Sequence, residues 1–158
     1  MWQKIKPYLF FIALSLGTGA LSALLTRDSM TIYEEIVTPV FAPPSILFPI
    51  VWSVLYLLMG VSAAMIYAGR EKAPLAARDG LVLFVASLVV NFTWSLIFFS
   101  LNAFLFATLW AALLFALVAG TVYYYARISK PAAVLQIPYL LWVGFATVLT
   151  AAIFFLNR

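Results

Sequence analysis

Five apolar stretches, residues 8–25, 45–68, 80–99, 103–125 and 132–156, take up most of the 158-residue chain, and none holds an Asp or Glu. Crossing the ~30 Å hydrocarbon layer of a bilayer takes about 20 helical residues, so each stretch is long enough to span it. With 66% hydrophobic and 9% charged residues, the chain carries more apolar surface than a water-soluble core of this size can hide. Transmembrane barrels need alternating segments of about ten residues, whereas 111–118 is continuously apolar and 81–90 is broken only by Ser87. The expected fold is an all-α integral membrane protein, a single domain over residues 1–158 built as a bundle of five transmembrane helices. No convincing internal repeat or linker divides it.

The net charge of +4 points to lipid headgroups rather than nucleic acid, because the cations flank the spans. With five crossings, Lys4, Lys6, Arg70, Lys72, Arg78, Arg127 and Lys130 fall on one side, and Arg27 and Arg158 on the other. The positive-inside bias then puts the N-terminus in the cytoplasm and the loop 26–44 outside. Helical spans suit a bacterial cytoplasmic membrane or an organelle membrane better than most outer membranes. A competing reading takes residues 1–22 as a cleaved signal peptide, but the apolar run continues through Ala23-Leu24-Leu25. The chain has no Cys and no His, which removes thiol chemistry and the commonest metal ligand and general base. No metal site is expected.

Loop 26–44 is the longest and holds three of the five acidic residues, Asp28, Glu34 and Glu35. Prolines are tolerated where a helix starts, so Pro43-Pro44 is expected to open the second span, approached by a stiff, extended Pro39–Phe41 segment. Only Ser100-Leu101-Asn102 separates the third and fourth spans, which makes them an antiparallel hairpin. Small residues recur at four-residue spacing in Ser15/Gly19/Ala23, Gly60/Ala64/Ala68 and Ala112/Ala116/Gly120. Such stripes let helices approach closely, within a chain or across a dimer.

Polar and aromatic positions inside the spans fall on helical stripes. Trp52, Tyr56, Met59 and Ala63 share one face of the second span; Ser87, Asn91, Trp94, Ser95 and Phe98 share one of the third; Pro138, Trp142, Phe145, Ala146 and Leu149 share one of the fifth. At 1.5 Å per residue, Trp52 and Asn91 lie about 12 Å below the external ends of their spans and Trp94 about 8 Å. Trp142 lies about 20 Å from the end of the fifth. Trp52 and Trp142 are thus too deep for the interfacial aromatic belt, and the indoles are expected to meet under the long loop. An amide such as Asn91 is costly against lipid tails, so it is expected to face the bundle interior. Pro138 frees a backbone carbonyl and can kink its helix.

These residues resemble the translocator protein and tryptophan-rich sensory protein family, also called the peripheral-type benzodiazepine receptor family. The likeness lies in Pro39-x-Phe41-x-Pro43-Pro44, in Val51-Trp52-Ser53-Val54-Leu55-Tyr56-Leu57-Leu58-Met59-Gly60, in Asn91-Phe92-Thr93-Trp94-Ser95-x-x-Phe98-Phe99 and in Pro138-Tyr139-Leu140-Leu141-Trp142-x-x-Phe145-Ala146-Thr147. Each motif is weak alone, but four in order on a five-span chain of this length are specific. The resemblance implies a five-helix bundle, commonly dimeric, around a pocket under the first loop. It implies ligands such as protoporphyrin IX or another tetrapyrrole, sterols, and isoquinoline carboxamides. By position it assigns Tyr33 and Pro43 to the lid region and Trp52 to the second span. It assigns Asn91, Trp94 and Phe99 to the third span, and Trp142, Ala146 and Leu149 to the fifth. The chain departs from the family in Ile32-Tyr33 for a Trp-Tyr pair, in Phe41 for Trp, and in Leu149-Thr150 for Leu-Asn.

Three functions follow. A receptor or binding protein for a flat hydrophobic ligand, in a sensory or regulatory role, suits aromatic walls with one or two polar anchors. Without His or Cys a strong axial iron ligand is lacking, which favours a metal-free porphyrin with no required cofactor. Coupled transport usually uses buried carboxylates, so only facilitated movement of a porphyrin or lipid fits the second. Ordinary acid–base and nucleophilic catalysis lack their parts, which leaves, third, light-dependent porphyrin degradation with Trp52 and Trp142 as the photochemical candidates.

Overall fold

The computed structural model describes residues 2–158. Its elements are α1 (Trp2–Thr26), a short α2 (Ile32–Glu35), α3 (Leu47–Ala68), α4 (Pro74–Ser95) continued by a π turn (Leu96–Ser100), α5 (Phe104–Ala126) and α6 (Lys130–Leu156). Five helical units, of 22 to 28 residues with the 3₁₀ turn Arg27–Ser29 counted with α1, are long and apolar enough to cross a membrane, which makes the chain a multi-pass membrane protein. Because lipid offers no hydrogen bonds, a spanning backbone must satisfy its own groups, as helices do. Threonine hydroxyls inside the spans follow the same rule. Thr18, Thr108, Thr121, Thr147 and Thr150 each donate to the carbonyl four residues back, at 2.7–2.9 Å.

Helices outrun the apolar stretches that announced them. α1 starts at Trp2 instead of residue 8, α4 at Pro74 instead of 80, and α6 at Lys130 instead of 132. Hydropathy marks the hydrocarbon depth, whereas a helix continues through the headgroup layer until a cap ends it. Pro74 and Pro131 occupy first-turn positions of their helices, and the Ser129 hydroxyl accepts from the Ala132 N–H. α3 departs in the other direction. It begins at Leu47, one turn past Pro43-Pro44, because Leu47 and Phe48 donate to the carbonyls of Pro44 and Ser45 and make a separate turn first. Nor is the Pro39–Phe41 segment extended, since Ala42 donates to the Pro39 carbonyl at 2.9 Å and closes a turn.

Packing order closes a ring: α1 lies beside α3, α3 beside α6, α6 beside α5, α5 beside α4, and α4 returns to α1 through the thinnest of the five seams. The α4–α5 hairpin forms as expected. Its reversal passes through Asn102 at φ 53°, a left-handed conformation that Asn tolerates better than most residues. Small residues set two close approaches. A Cβ on Gly60 would lie 2.6 Å from the Ile12 Cα, and one on Gly19 would lie 2.4 Å from the Tyr56 ring, so α1 and α3 nearly touch. Of the third stripe, Ala112 and Ala116 are exposed on the outer face and only Gly120 meets a neighbour, Leu83.

Met59, Ala63, Phe84, Tyr125 and Tyr139 form the sealed centre of the bundle, while Phe10, Leu24, Val82, Leu109 and Leu141 point outward. An apolar exterior of this extent marks a surface that meets lipid. At the span ends Arg70 lies 4.2 Å from the Tyr67 ring centre and Arg158 lies 5.0 Å from that of Phe155, a pairing that lets the charge reach water while its stem covers apolar surface.

Candidate functional site

Beneath the loop joining α1 and α3, three helices leave a gap. α1 supplies Gly19, Ser22, Ala23 and Thr26, whose small side chains cannot fill it. Phe48, Pro49, Trp52 and Tyr56 come from α3, and Trp94, Ser95 and Phe99 from the end of α4 and its π turn. The space between them is about 100 Å³. A second recess of about 300 Å³ lies under the loop itself, lined by Tyr33, Glu34, Ser45 and Ile46. Both spaces share Met30, Phe48, Pro49 and Phe99, so they form one continuous cleft.

Aromatic rings dominate its walls. Trp52 sits 5.5 Å from Tyr56 and 6.1 Å from Tyr139. Trp94 stacks on Phe98 at 5.2 Å and meets Phe99 edge-on at 6.2 Å. Tyr33 comes down from the loop to meet Phe48 edge-on at 5.0 Å. Such faces favour a planar, polarisable guest.

Polar groups are few and mostly engaged. Asn91 is buried and donates from Nδ2 to the Tyr56 hydroxyl at 2.7 Å, joining α4 to α3 behind the cleft. The Trp94 indole donates to the Ala107 carbonyl at 3.1 Å and is held by α5. Five buried side-chain polar atoms have no partner among the described residues: the hydroxyls of Ser15, Tyr125 and Tyr139, Gln136 Nε2 and the Trp142 indole N–H. Among the described residues no group of three or more His, Cys, Asp and Glu could hold a metal ion.

A lid covers the cleft. After a single 3₁₀ turn at Arg27–Ser29 and the short α2, the chain runs back over the aromatic walls. Three ties hold it. The Tyr33 hydroxyl donates to the Pro43 carbonyl at 2.9 Å, and Ser45 donates to the Glu34 carboxylate at 3.1 Å. Asn157, at the end of α6, accepts from the Val37 N–H at 3.0 Å and donates to the Val37 carbonyl at 2.8 Å. Partial burial raises the Tyr33 hydroxyl above its ordinary pKa, which keeps it a neutral donor to Pro43.

Of the residues singled out from the sequence, Tyr33, Trp52, Trp94 and Phe99 line the cleft. Pro43 contributes its carbonyl to the Tyr33 tie, and Asn91 acts through Tyr56. The α6 residues lie elsewhere. Phe48 rises from the first turn of α3, 5.9 Å from Trp142, and lines the cleft where the expected meeting of indoles would have placed Trp142. Trp142 faces a groove between α3 and α6 with Val51, Val54, Pro138 and Phe145. Leu149 is buried in a cluster with Trp94, Ile97, Phe98 and Ala107. The Ala146 carbonyl accepts from Thr150, and its side chain is not part of the cleft wall.

Sequence reasoning missed the α1 wall and Phe48. Both had a signal: the Ser15/Gly19/Ala23 stripe marks a face meeting something bulky, and Phe48 stands four residues before Trp52 on the same helical face.

Residues 11–156 match the TspO/MBR family. The chain is 36% identical to the tryptophan-rich protein TspO of Chlorobaculum tepidum over 99% of both chains. It is 30% identical to protein CrtK of Rhodobacter capsulatus, over 94% of this chain and 90% of that one. It is 31% identical to the translocator protein of Bos taurus, over 89% and 83% respectively. With five spanning helices, a lidded aromatic cleft and these relatives across nearly its whole length, the chain belongs to the TspO/MBR family of membrane proteins.

Proposed function

We propose that the protein is a membrane receptor for a flat hydrophobic ligand of the tetrapyrrole class, with metal-free protoporphyrin IX the best-fitting probe, in a sensory or regulatory role. The observation that carries this reading is the composition of the cleft wall. Trp52, Trp94, Phe48 and Phe99 offer ring faces, and few polar side chains interrupt them. Binding energy for a planar guest comes from burying its faces against such rings. The Tyr56 hydroxyl, on the cleft wall itself, accepts from Asn91 and keeps its own proton to donate, which makes it the candidate polar anchor. At about 100 Å³ and about 300 Å³, the two spaces reach no further than the lower end of ligand-pocket volumes, ~300–1,000 Å³, so a tetrapyrrole is fully seated only as the lid or a helix wall yields. Coupling occupancy to wall movement is what a sensor requires.

The test is a dim-light titration of purified protein with protoporphyrin IX, read by tryptophan quenching, beside a Ser22→Phe variant that fills the cleft from α1. Saturable quenching weakened about tenfold, equivalent to ~1.4 kcal/mol, supports the reading. Linear quenching, equal in both proteins, means that the porphyrin merely dissolves in the micelle.

The same proposal places the lid outside and the seven-cation end in the cytoplasm of a bacterium, following the positive-inside bias. Because the chain has no cysteine, single cysteines at Val37 and at Ala73 report this directly. A membrane-impermeant maleimide added to intact cells should label the first and spare the second.

A further inference from the structure

The lid covers the cleft from the aqueous side and is tied at three places, at Pro43, Glu34 and Val37. The α1–α3 seam is also closed, since Gly60 meets the Ile12 backbone and Gly19 meets the Tyr56 ring with no room for a methyl group. Among the helix seams that face lipid, the one between α1 and α4 is the thinnest contact in the ring. On that seam lies a separate apolar groove of about 230 Å³, where Thr18 and Leu21 of α1 face Leu88, Val89 and Phe92 of α4.

Helical register connects this groove to the cleft. Leu88, Phe92 and Ser95 stand at i, i+4 and i+7, one face of α4, and Phe99 follows in the π turn; the first two line the groove while Ser95 and Phe99 line the cleft. On α1, Thr18 lines the groove and Ser22, one turn along, lines the cleft. Thr18 and Ser22 are small, and the hydroxyl of Thr18 is turned back onto the Leu14 carbonyl, so a passing apolar guest meets no unsatisfied donor at Thr18. A flat apolar molecule is far more concentrated in the bilayer than in water, because transfer out of water is what favours it. A route that begins in lipid therefore starts from the larger pool.

We propose that the cleft is loaded laterally from the bilayer, through the seam between α1 and α4, with the lid remaining tied. The occupant of the groove is the planar apolar ligand in transit, and the α4 stripe from Leu88 to Phe99 is its track. This proposal rests on the binding reading above.

The absence of cysteine allows a direct test in lipid vesicles. One protein carries Leu21→Cys with Val89→Cys, which a short bis-maleimide links across the groove; another carries Val37→Cys with Asn157→Cys, which links lid to α6. Mass spectrometry confirms each staple before protoporphyrin IX, pre-dissolved in the vesicle membrane, is presented and quenching is followed in time. The seam staple is expected to slow association about tenfold or more, while the lid staple changes it less than about twofold. A Leu21→Trp, Val89→Trp variant, filling the groove without a linker, should slow it in the same direction. A lid staple that slows association while the seam staple and the filled groove do not would overturn the proposal and make the lid the entrance. Unstapled protein that shows no saturable quenching would instead remove the binding reading itself.

Discussion

Asn91 of α4 donates its side-chain amide to the Tyr56 hydroxyl of α3 at 2.7 Å, and both residues are almost completely buried. Tyr56 lines the cleft and Asn91 does not, so the amide's direct role is to hold the ring that forms the wall. In lipid such interhelical bonds average about 0.6 kcal/mol with a maximum near ~1.7 kcal/mol. Leaving one buried partner unsatisfied costs about 1–3 kcal/mol. Asn91→Ala should therefore lower the melting temperature and weaken ligand binding together. Tyr56→Phe should weaken both less, and the double variant should lose less than the sum of the two. A double-mutant cycle with full additivity in thermal unfolding would show that the bond carries no coupling.

Gly60 and Gly17 make a matched pair on α3 and α1. A methyl group at Gly60 would press on the Ile12 backbone, which cannot swing aside as a side chain can, whereas one at Gly17 meets nothing within 4 Å. Gly60→Ala should destabilise the bundle by about 1–3 kcal/mol through overpacking. Gly17→Ala should be neutral or stabilising by up to ~1 kcal/mol through helix propensity. Thermal unfolding in detergent, followed by loss of the monodisperse peak, distinguishes them. Equal behaviour would mean that α1 shifts on α3 without cost.

Asn157 fastens the lid through both backbone groups of Val37 while also donating to the Ile153 carbonyl. Replacing it with Ala removes the two cross-ties and leaves Tyr33–Pro43 and Ser45–Glu34. Amide hydrogen exchange in residues 36–44 should accelerate while the centres of α3 and α6 keep their protection, as expected for local opening. Unchanged exchange in the lid would mean that the other two ties suffice. Raising the pH should act differently, since the elevated pKa of Tyr33 keeps its hydroxyl a donor until above the ordinary tyrosine range, about 10.

The five spans were legible because apolar length alone decides what a bilayer accepts, and the inward placement of Asn91 followed from the cost of an amide against lipid. The lid helix Ile32–Glu35 was not, because four residues carry too little periodicity to announce themselves. Helix starts were displaced wherever charged residues continued a helix beyond the hydrocarbon, as at Lys4 and Lys130. For Trp142 the limit was of another kind. Its stripe on α6 was identified, but the angle at which that stripe meets α3 depends on packing, and Phe48 holds the place beside it that lines the cleft.

That difference between Trp52 and Trp142 gives a photochemical prediction. Trp52 lines the cleft, while Trp142 faces the α3–α6 groove, with Phe48 against its ring and the N–H buried. If light-excited porphyrin in the cleft passes its energy to dissolved dioxygen, the oxygen adds to the indole it reaches first. Illumination with protoporphyrin IX should then place oxidised tryptophan at residue 52 well before residue 142, as read by peptide mass spectrometry at increasing light dose. Trp52→Phe should abolish most of the early modification, and Trp142→Phe should leave it in place. Phe48→Ala, which removes the ring standing against Trp142, should bring oxidation at residue 142 forward. Equal early oxidation at both positions in the unaltered protein would show that the porphyrin reaches the α6 side of Phe48, and that the cleft extends past that ring.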